Sequence, residues 1–215
     1  MIEKKINNYS FFICKDNFEL SIEISDFICK HINKSLSVKD RFQLCLCGGS
    51  TPKNLYSILS KRDLNWDKVD IFLGDERCVE PSSEESNTLM LKKSLLTNYG
   101  SKAFFYEIFK NGNLDEESSK KSFISALHEK CQGDPPVFDL TLLGLGDDGH
   151  TASLFPYKSN NNPDEYIIFS YGNGLKRISL TPKILSASSK IIFLVSGKSK
   201  QLALKRLVDE DELIE

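Results

Sequence analysis

Apolar residues recur at helical spacing in NFELSIEISDFICKHINKSL (17–36), where Leu20, Ile24, Phe27, Ile28 and Ile32 share one face, and this predicts an amphipathic helix. The next segment, RFQLCLCGGSTPKNLYSIL, changes period. A short apolar run stops at Gly48-Gly49, and a helix follows with Pro52 in its first turn, where a missing N–H is no loss. DKVDIFLGDERCV reads as a strand that stops at charged residues, and SNTLMLKKSLL as a helix with Ser86 or Asn87 as its cap. LDEESSKKSFISALHEKC is helical and ends before Gly133, Pro135 and Pro136. FDLTLLGLG is the next strand, YKSNNNPDE a polar loop, RISL a short strand, and SKIIFLVSGKSKQLALKRL a strand, glycine turn and helix. Strands alternating with helices predict an α/β fold: an open, mainly parallel, doubly wound sheet with helices on both faces, Rossmann-like in layout. A length of 215 residues suits a single domain of this kind over 1–215.

The polar positions matter most where the strands end. Gly48-Gly49-Ser50-Thr51, Gly74-Asp75-Glu76-Arg77, Gly146-Asp147-Asp148-Gly149-His150 and Gly197-Lys198 each follow an apolar run. In an open parallel sheet those carboxyl ends lie along one edge, where the ligand crevice forms. Gly144, Gly146 and Gly149 also spell GxGxxG, the dinucleotide pattern. Its context fails. Asp147 and Asp148 would repel a pyrophosphate, Pro156 interrupts the helix that should follow, and the only acids in range for a ribose, Asp164 and Glu165, fall in the Asn-rich loop. SGKSK imitates the end of a P-loop, but Ile192 stands where its first glycine is required. No nucleotide cofactor is expected.

A formal net charge of −2 supplies no global attraction to nucleic acid or an acidic membrane. The six cysteines contain no CxxC pair. Cys45 and Cys47, two apart in a strand, point to one face and read as small buried hydrophobes in a reduced compartment. The N-terminus lacks a secretory apolar core and no apolar run reaches membrane-spanning length, so the expectation is a cytoplasmic protein.

The Gly48-Gly49-Ser50-Thr51 turn allows close backbone approach, supplies hydroxyls and opens a helix, which suits an anion such as phosphate; the alternative is an ordinary strand–helix turn with a hydroxyl cap. Arg77, Arg177 and Lys198 are basic residues at strand ends or starts, able to neutralise the same anion or simply to remain solvated. His150 sits in a glycine-turned loop two residues after Asp148, the spacing of an oriented proton-transfer imidazole or of a helix cap. Asp147, Asp148 and His150 do not match usual zinc spacings, so no metal is expected. There is no GxSxG elbow and no cysteine beside a histidine in sequence, which leaves water attack assisted by His150 as the economical chemistry.

CGGSTPKNLY, IFLGDERCV, SNTLMLKKSLL, LLGLGDDGHTASLFP and RISLT…IIFLVSGKSKQLAL, in this order from about Phe11 to Leu207, resemble the 6-phosphogluconolactonase family. The resemblance implies metal-free hydrolysis of 6-phospho-glucono-1,5-lactone to 6-phosphogluconate in the pentose phosphate pathway. It implies substrate binding by Gly48, Gly49, Ser50, Thr51, Arg77, Arg177 and Lys198, and a catalytic set of His150, Asp148 and Asp75. His150 would move the proton and Asp148 would orient it, while Asp75 corresponds to the strand-end acid of the superfamily. Some relatives are fused to glucose-6-phosphate dehydrogenase, an expected companion. Two departures stand out: the stretch between Pro156 and Arg177 is short and Asn-rich, and the chain stops at Glu215, before the end that family members generally carry. The glucosamine-6-phosphate isomerase/deaminase branch is the first alternative, against which ASLFP argues. A phosphosugar-binding sensor without catalysis is the second.

Overall fold

The computed structural model describes residues 1–6, 9–110, 114–156 and 164–208. The chain begins with a hairpin, β1 (Ile2–Ile6) and β2 (Tyr9–Ile13), followed by α1 (Asn17–Leu36), β3 (Phe42–Leu46) and α2 (Thr51–Leu59). Next come β4 (Val69–Leu73), β5 (Asp75–Arg77), α3 (Asn87–Ser94), β6 (Phe104–Phe105) and α4 (Glu116–Lys130). The last part holds β7 (Leu140–Gly144), β8 (Ile167–Gly172), β9 (Leu175–Leu180), α5 (Pro182–Ser186), β10 (Ile191–Leu194) and α6 (Gln201–Val208).

The framework is a five-stranded parallel sheet in the order β10-β7-β3-β4-β6, flanked by helices. β3 and β4 are buried at every position. Since successive side chains point to opposite faces, both faces of the sheet centre are covered, which is the α/β arrangement that the alternating pattern predicts. The apolar stripe of α1 puts Ile24, Ile28 and Ile32 into the core, and Asp16 caps its N-terminus by accepting from the Glu19 N–H at 2.8 Å. Phe72 of β4 stacks on Tyr106 with ring centroids 4.8 Å apart and tilts against Phe138 at 5.4 Å. One fully enclosed carboxylate, Asp70, is held by Arg41 through Nε and Nη2, both at 2.7 Å.

β4 stops before the charged residues, as the pattern expects, but those residues form a further strand that it did not: Gly74 donates its N–H to Leu46 O and accepts at its carbonyl from Leu180 N, so it links two sheets. Beyond it, β5 joins a separate three-stranded antiparallel sheet, β5-β9-β8. RISL is the end of a longer strand, β9, which turns back from β8 through Asn173 and Gly174, at φ 54° and 77°. Asn-Gly with positive φ at both positions is the turn that matches hairpin twist. The N-terminal hairpin is a further element that the hydrophobic pattern did not mark; its exposed residues mix Ile2 and Ile6 with Glu3, Lys4 and Lys5. Most of the Asn-rich loop, residues 157–163, lies outside the described residues.

Candidate active site

A cavity of about 410 Å³ opens along the carboxyl ends of β3, β4, β7 and β10. Two glycine turns line it.

In the first, Gly49 adopts φ 101° and turns the chain from β3 into α2. Gly48 lies so close to Asn87 that a Cβ there would sit 1.9 Å from Asn87 Oδ1. Ser50 makes no side-chain cap to α2. The Ser50 and Thr51 hydroxyls and the helix N-terminus all line the cavity.

The second turn follows β7. The Gly146 N–H donates to His150 O at 2.7 Å, Gly149 N–H donates to Gly146 O at 3.1 Å, and Thr151 Oγ1 donates to Gly144 O at 2.7 Å. These bonds curl the loop so that His150 Nδ1 meets Asp148 Oδ1 at 2.5 Å, with the His150 backbone N–H on the same oxygen at 3.2 Å. Partial burial pushes the Asp148 carboxyl up, but the bonds from the His150 ring and backbone outweigh it, and the carboxyl sits below its ordinary range. The dyad contact is therefore at full strength above the unfolded carboxylate pKa, about 3.9, and weakens as pH falls through the lower folded value. With Asp148 ionised, Nδ1 carries the proton and Nε2 the lone pair. Phe155 braces the imidazole at 4.7 Å between ring centroids and also lies 5.6 Å from the Arg177 guanidinium.

Arg77 and Arg177 are directly opposed residues of β5 and β9. Burial first, then the neighbouring Arg77, pulls the Arg177 guanidinium below its usual pKa, against the attraction of Asp75, Glu85 and Glu76. Arg77 Nη1 donates to Glu85 O at 2.5 Å, while its Nε is buried with no hydrogen-bond partner among the described residues. Two adjoining guanidinium groups in a half-dry cavity, one with an unused donor, suit an anionic ligand. Asp75 is nearly enclosed, 4% exposed, and bonded to Ser153 and Asn87.

Lys198 departs from the expectation. Gly197, at φ 100°, reverses the chain after β10, leaving Lys198 exposed and outside the cavity lining; Ser199 and Lys200 reach the wall instead. Lys200 Nζ meets Asp147 Oδ1 at 2.6 Å and Ser199 Oγ donates to the same oxygen at 3.0 Å, which hold Asp147 below the usual carboxylate range. The charge that the dinucleotide argument read as repulsive is thus paired.

The thiols are unsuited to nucleophilic attack. Burial pushes Cys47, on the cavity wall, up to about 12, and burial together with Glu116 pushes Cys78 up to about 11. Among the described residues, no group of three or more His, Cys, Asp or Glu side chains is disposed to hold a metal ion. No helix among them is long and apolar enough to cross a membrane. Asn87 and Lys200, which line the cavity, and Ser153, buried behind it on Asp75, were not singled out as site residues by sequence reading; only the helix-cap reading of SNTLM pointed to one of them.

Glycine turns at parallel strand ends, with an aspartate–histidine dyad facing paired arginines, define a metabolite-site α/β protein, and the relatives narrow that class. The family model described as glucosamine-6-phosphate isomerases/6-phosphogluconolactonase matches residues 15–213. This chain belongs to that family. A 6-phosphogluconolactonase from Nostoc sp. is 32% identical over 199 residues, 91% of this chain and 83% of its own length. One from Synechocystis sp. is 34% identical over 181 residues, 82% of this chain and 75% of its own. A crystal structure of a 6-phosphogluconolactonase from Shewanella baltica superposes with a TM-score of 0.84 at 26% identity, covering 95% of this chain and 88% of that one.

Proposed function

We propose that this protein hydrolyses 6-phospho-D-glucono-1,5-lactone to 6-phosphogluconate, a step of the pentose phosphate pathway. The observation that carries the reading is that His150, held by Asp148 behind it, lines the same cavity as a cation-rich anion cradle. The names of the similar 6-phosphogluconolactonases support the choice of lactone over amino sugar.

The phosphate would lie between the Gly48–Thr51 turn and Arg77, Arg177 and Lys200, which brings the lactone carbonyl toward His150. Nε2 takes a proton from water as the water oxygen bonds to the carbonyl carbon, and Asp148 holds the resulting imidazolium. Backbone N–H groups of the glycine turns, or Arg77, would steady the oxyanion. The tetrahedral intermediate then expels the ring oxygen, which receives the proton from His150. The product is an open-chain acid, and no covalent enzyme adduct is required. A lactone is already activated toward water, so fixing it by its phosphate beside one base is sufficient catalysis. We assign the reaction to the cytosol, a reading supported by six free cysteines. Glucose-6-phosphate dehydrogenase, which would supply the lactone, is the companion we propose.

The deciding assay follows lactone hydrolysis above the spontaneous rate beside ammonia release from glucosamine 6-phosphate. Acceleration of the first without the second is expected. Ammonia release would give the protein to the other branch of its family, and tight phosphosugar binding without turnover would make it a sensor.

The two lysines separate cleanly. Lys200→Ala is expected to raise KM by about 10- to 100-fold, the loss of one charge-assisted phosphate contact. Lys198→Ala should leave KM within about twofold, as for an exposed charge away from the ligand. Michaelis curves for both variants test the assignment, and the reverse pattern would return the phosphate contact to Lys198.

A further inference from the structure

Asp75 is surrounded as a strut is, and not as a base. Ser153 Oγ donates to its Oδ2 at 2.5 Å, and Asn87 Nδ2 donates to its backbone carbonyl at 3.0 Å and reaches its Oδ1 at 3.4 Å. Arg177 Nη1 lies 3.7 Å from Oδ2 and 3.5 Å from Ser153 Oγ. The Asp75 and Arg177 side chains are 6% and 5% exposed, and Ser153 is wholly buried.

The three partners come from three parts of the site. Asn87 begins α3 and packs against Gly48 of the anion-binding turn. Ser153 stands three residues after His150, and its backbone N–H also donates to Ser179 Oγ of β9 at 3.2 Å, so the histidine loop is tied to the second sheet at two atoms. Arg177 is the β9 arginine opposite Arg77. The neighbouring Glu76 reinforces the frame by accepting backbone N–H groups from Arg77, Asn87 and Thr88 at 2.7–2.8 Å. Both Asp75 oxygens are turned onto protein donors, whereas a general base must aim a lone pair at the proton it removes.

We propose that Asp75 is a positioning residue, with Ser153 as its working partner: the pair sets the His150 loop, Arg177 and the Gly48 turn in mutual register, and Asp75 transfers no proton. The inference rests on the lactonase reading. It predicts that removing the Ser153 hydroxyl has the same consequence as disabling the Asp75 carboxylate.

The test is a cycle of wild type, Ser153→Ala, Asp75→Asn and the double variant, each assayed for lactonase kcat and KM across pH. Ser153→Ala should lower kcat about tenfold, the size of one hydrogen bond to a charged group. Asp75→Asn should lower kcat at least as far. The double variant should be no slower than Asp75→Asn alone, since both changes break one linkage. Both single variants should keep the limbs of the wild-type pH–kcat profile, because His150 still moves the proton. Ser153→Cys fills a similar volume with a weak donor and should remain as slow as Ser153→Ala; it also carries the test if the alanine variant melts early. Loss of a pH limb in Asp75→Asn alone, additive losses, or a rate restored by Ser153→Cys would each overturn the proposal. A wild type with no lactonase activity would instead overturn the functional reading, and this inference with it.

Discussion

Replacing His150 with alanine lowers kcat for the lactone by about 10²- to 10⁴-fold, the range for a lost general acid–base, with KM changed far less. The expectation follows from the division of the cavity. His150 belongs to the curled loop after β7, whereas the anion cradle is built from the β3–α2 turn, β5, β9 and the turn just before α6. Truncating the imidazole removes the proton carrier and leaves the cradle in place. Asp148→Asn should lower kcat by a comparable factor, because an amide N–H donating to Nδ1 holds the wrong imidazole tautomer and the neutral amide cannot stabilise an imidazolium. The pH dependence has a defined sign. Asp148 is held below the ordinary carboxylate range, so its charge is constant well above about pH 4 and is lost only as pH falls through its lowered value. Initial rates corrected for spontaneous hydrolysis provide the check. Full activity in a folded His150→Ala would remove His150 from the mechanism while leaving the lactonase standing.

Gly146→Ala is the second large effect, about 10²-fold or more in kcat, although the change adds one methyl group to a residue with no side-chain chemistry. A Cβ at position 146 would lie 2.1 Å from His150 Nδ1 and 2.5 Å from Asp148 Oδ1. Both contacts are shorter than any Cβ tolerates, so the ring and carboxylate must swing apart and the 2.5 Å dyad contact is lost. Thermal melting should move little in comparison, since the loop is outside the central core. A two-dimensional proton–nitrogen spectrum of the histidine side chains would reveal the displaced imidazole directly. An active Gly146→Ala with unchanged His150 resonances would show that the loop yields elsewhere. Gly146 is therefore explained by close approach of the dyad, and the GxGxxG spelling is a by-product of a turn built for a histidine.

Much of this site was legible in the residues because its central contact is local. Asp148 and His150 are two positions apart, and the surrounding glycines permit the loop that joins them. The same holds for α1, whose 20-residue span follows from its apolar period, and for Pro52 at the start of α2. Legibility failed where a feature depended on a distant partner. After Leu73 the chain was read as leaving the sheet, yet Asp75–Arg77 pairs with Ser179–Arg177 of β9, about which the local pattern carries no information. β8 was not read from the sequence, because IIFSYG lacks a strictly alternating apolar pattern and most of its residues are only partly buried. In SGKSK, the local pattern does not separate Lys198 from Lys200, and only the folded chain shows that Lys200 lines the cavity.

The sequence by itself determined the α/β class, the family and the pairing of a histidine with an aspartate in a glycine turn, since periodicity and short-range hydrogen bonding are properties of adjacent residues. The tertiary structure alone decided that Arg77 and Arg177 stand side by side, that Lys200 replaces Lys198 at the cavity wall, and that Asp75 is enclosed by Ser153 and Asn87. Ser153 and Asp75 are 78 positions apart. Only the closing of the second sheet against the first brings such residues within hydrogen-bond reach, because that contact is created by packing and has no local sequence signal.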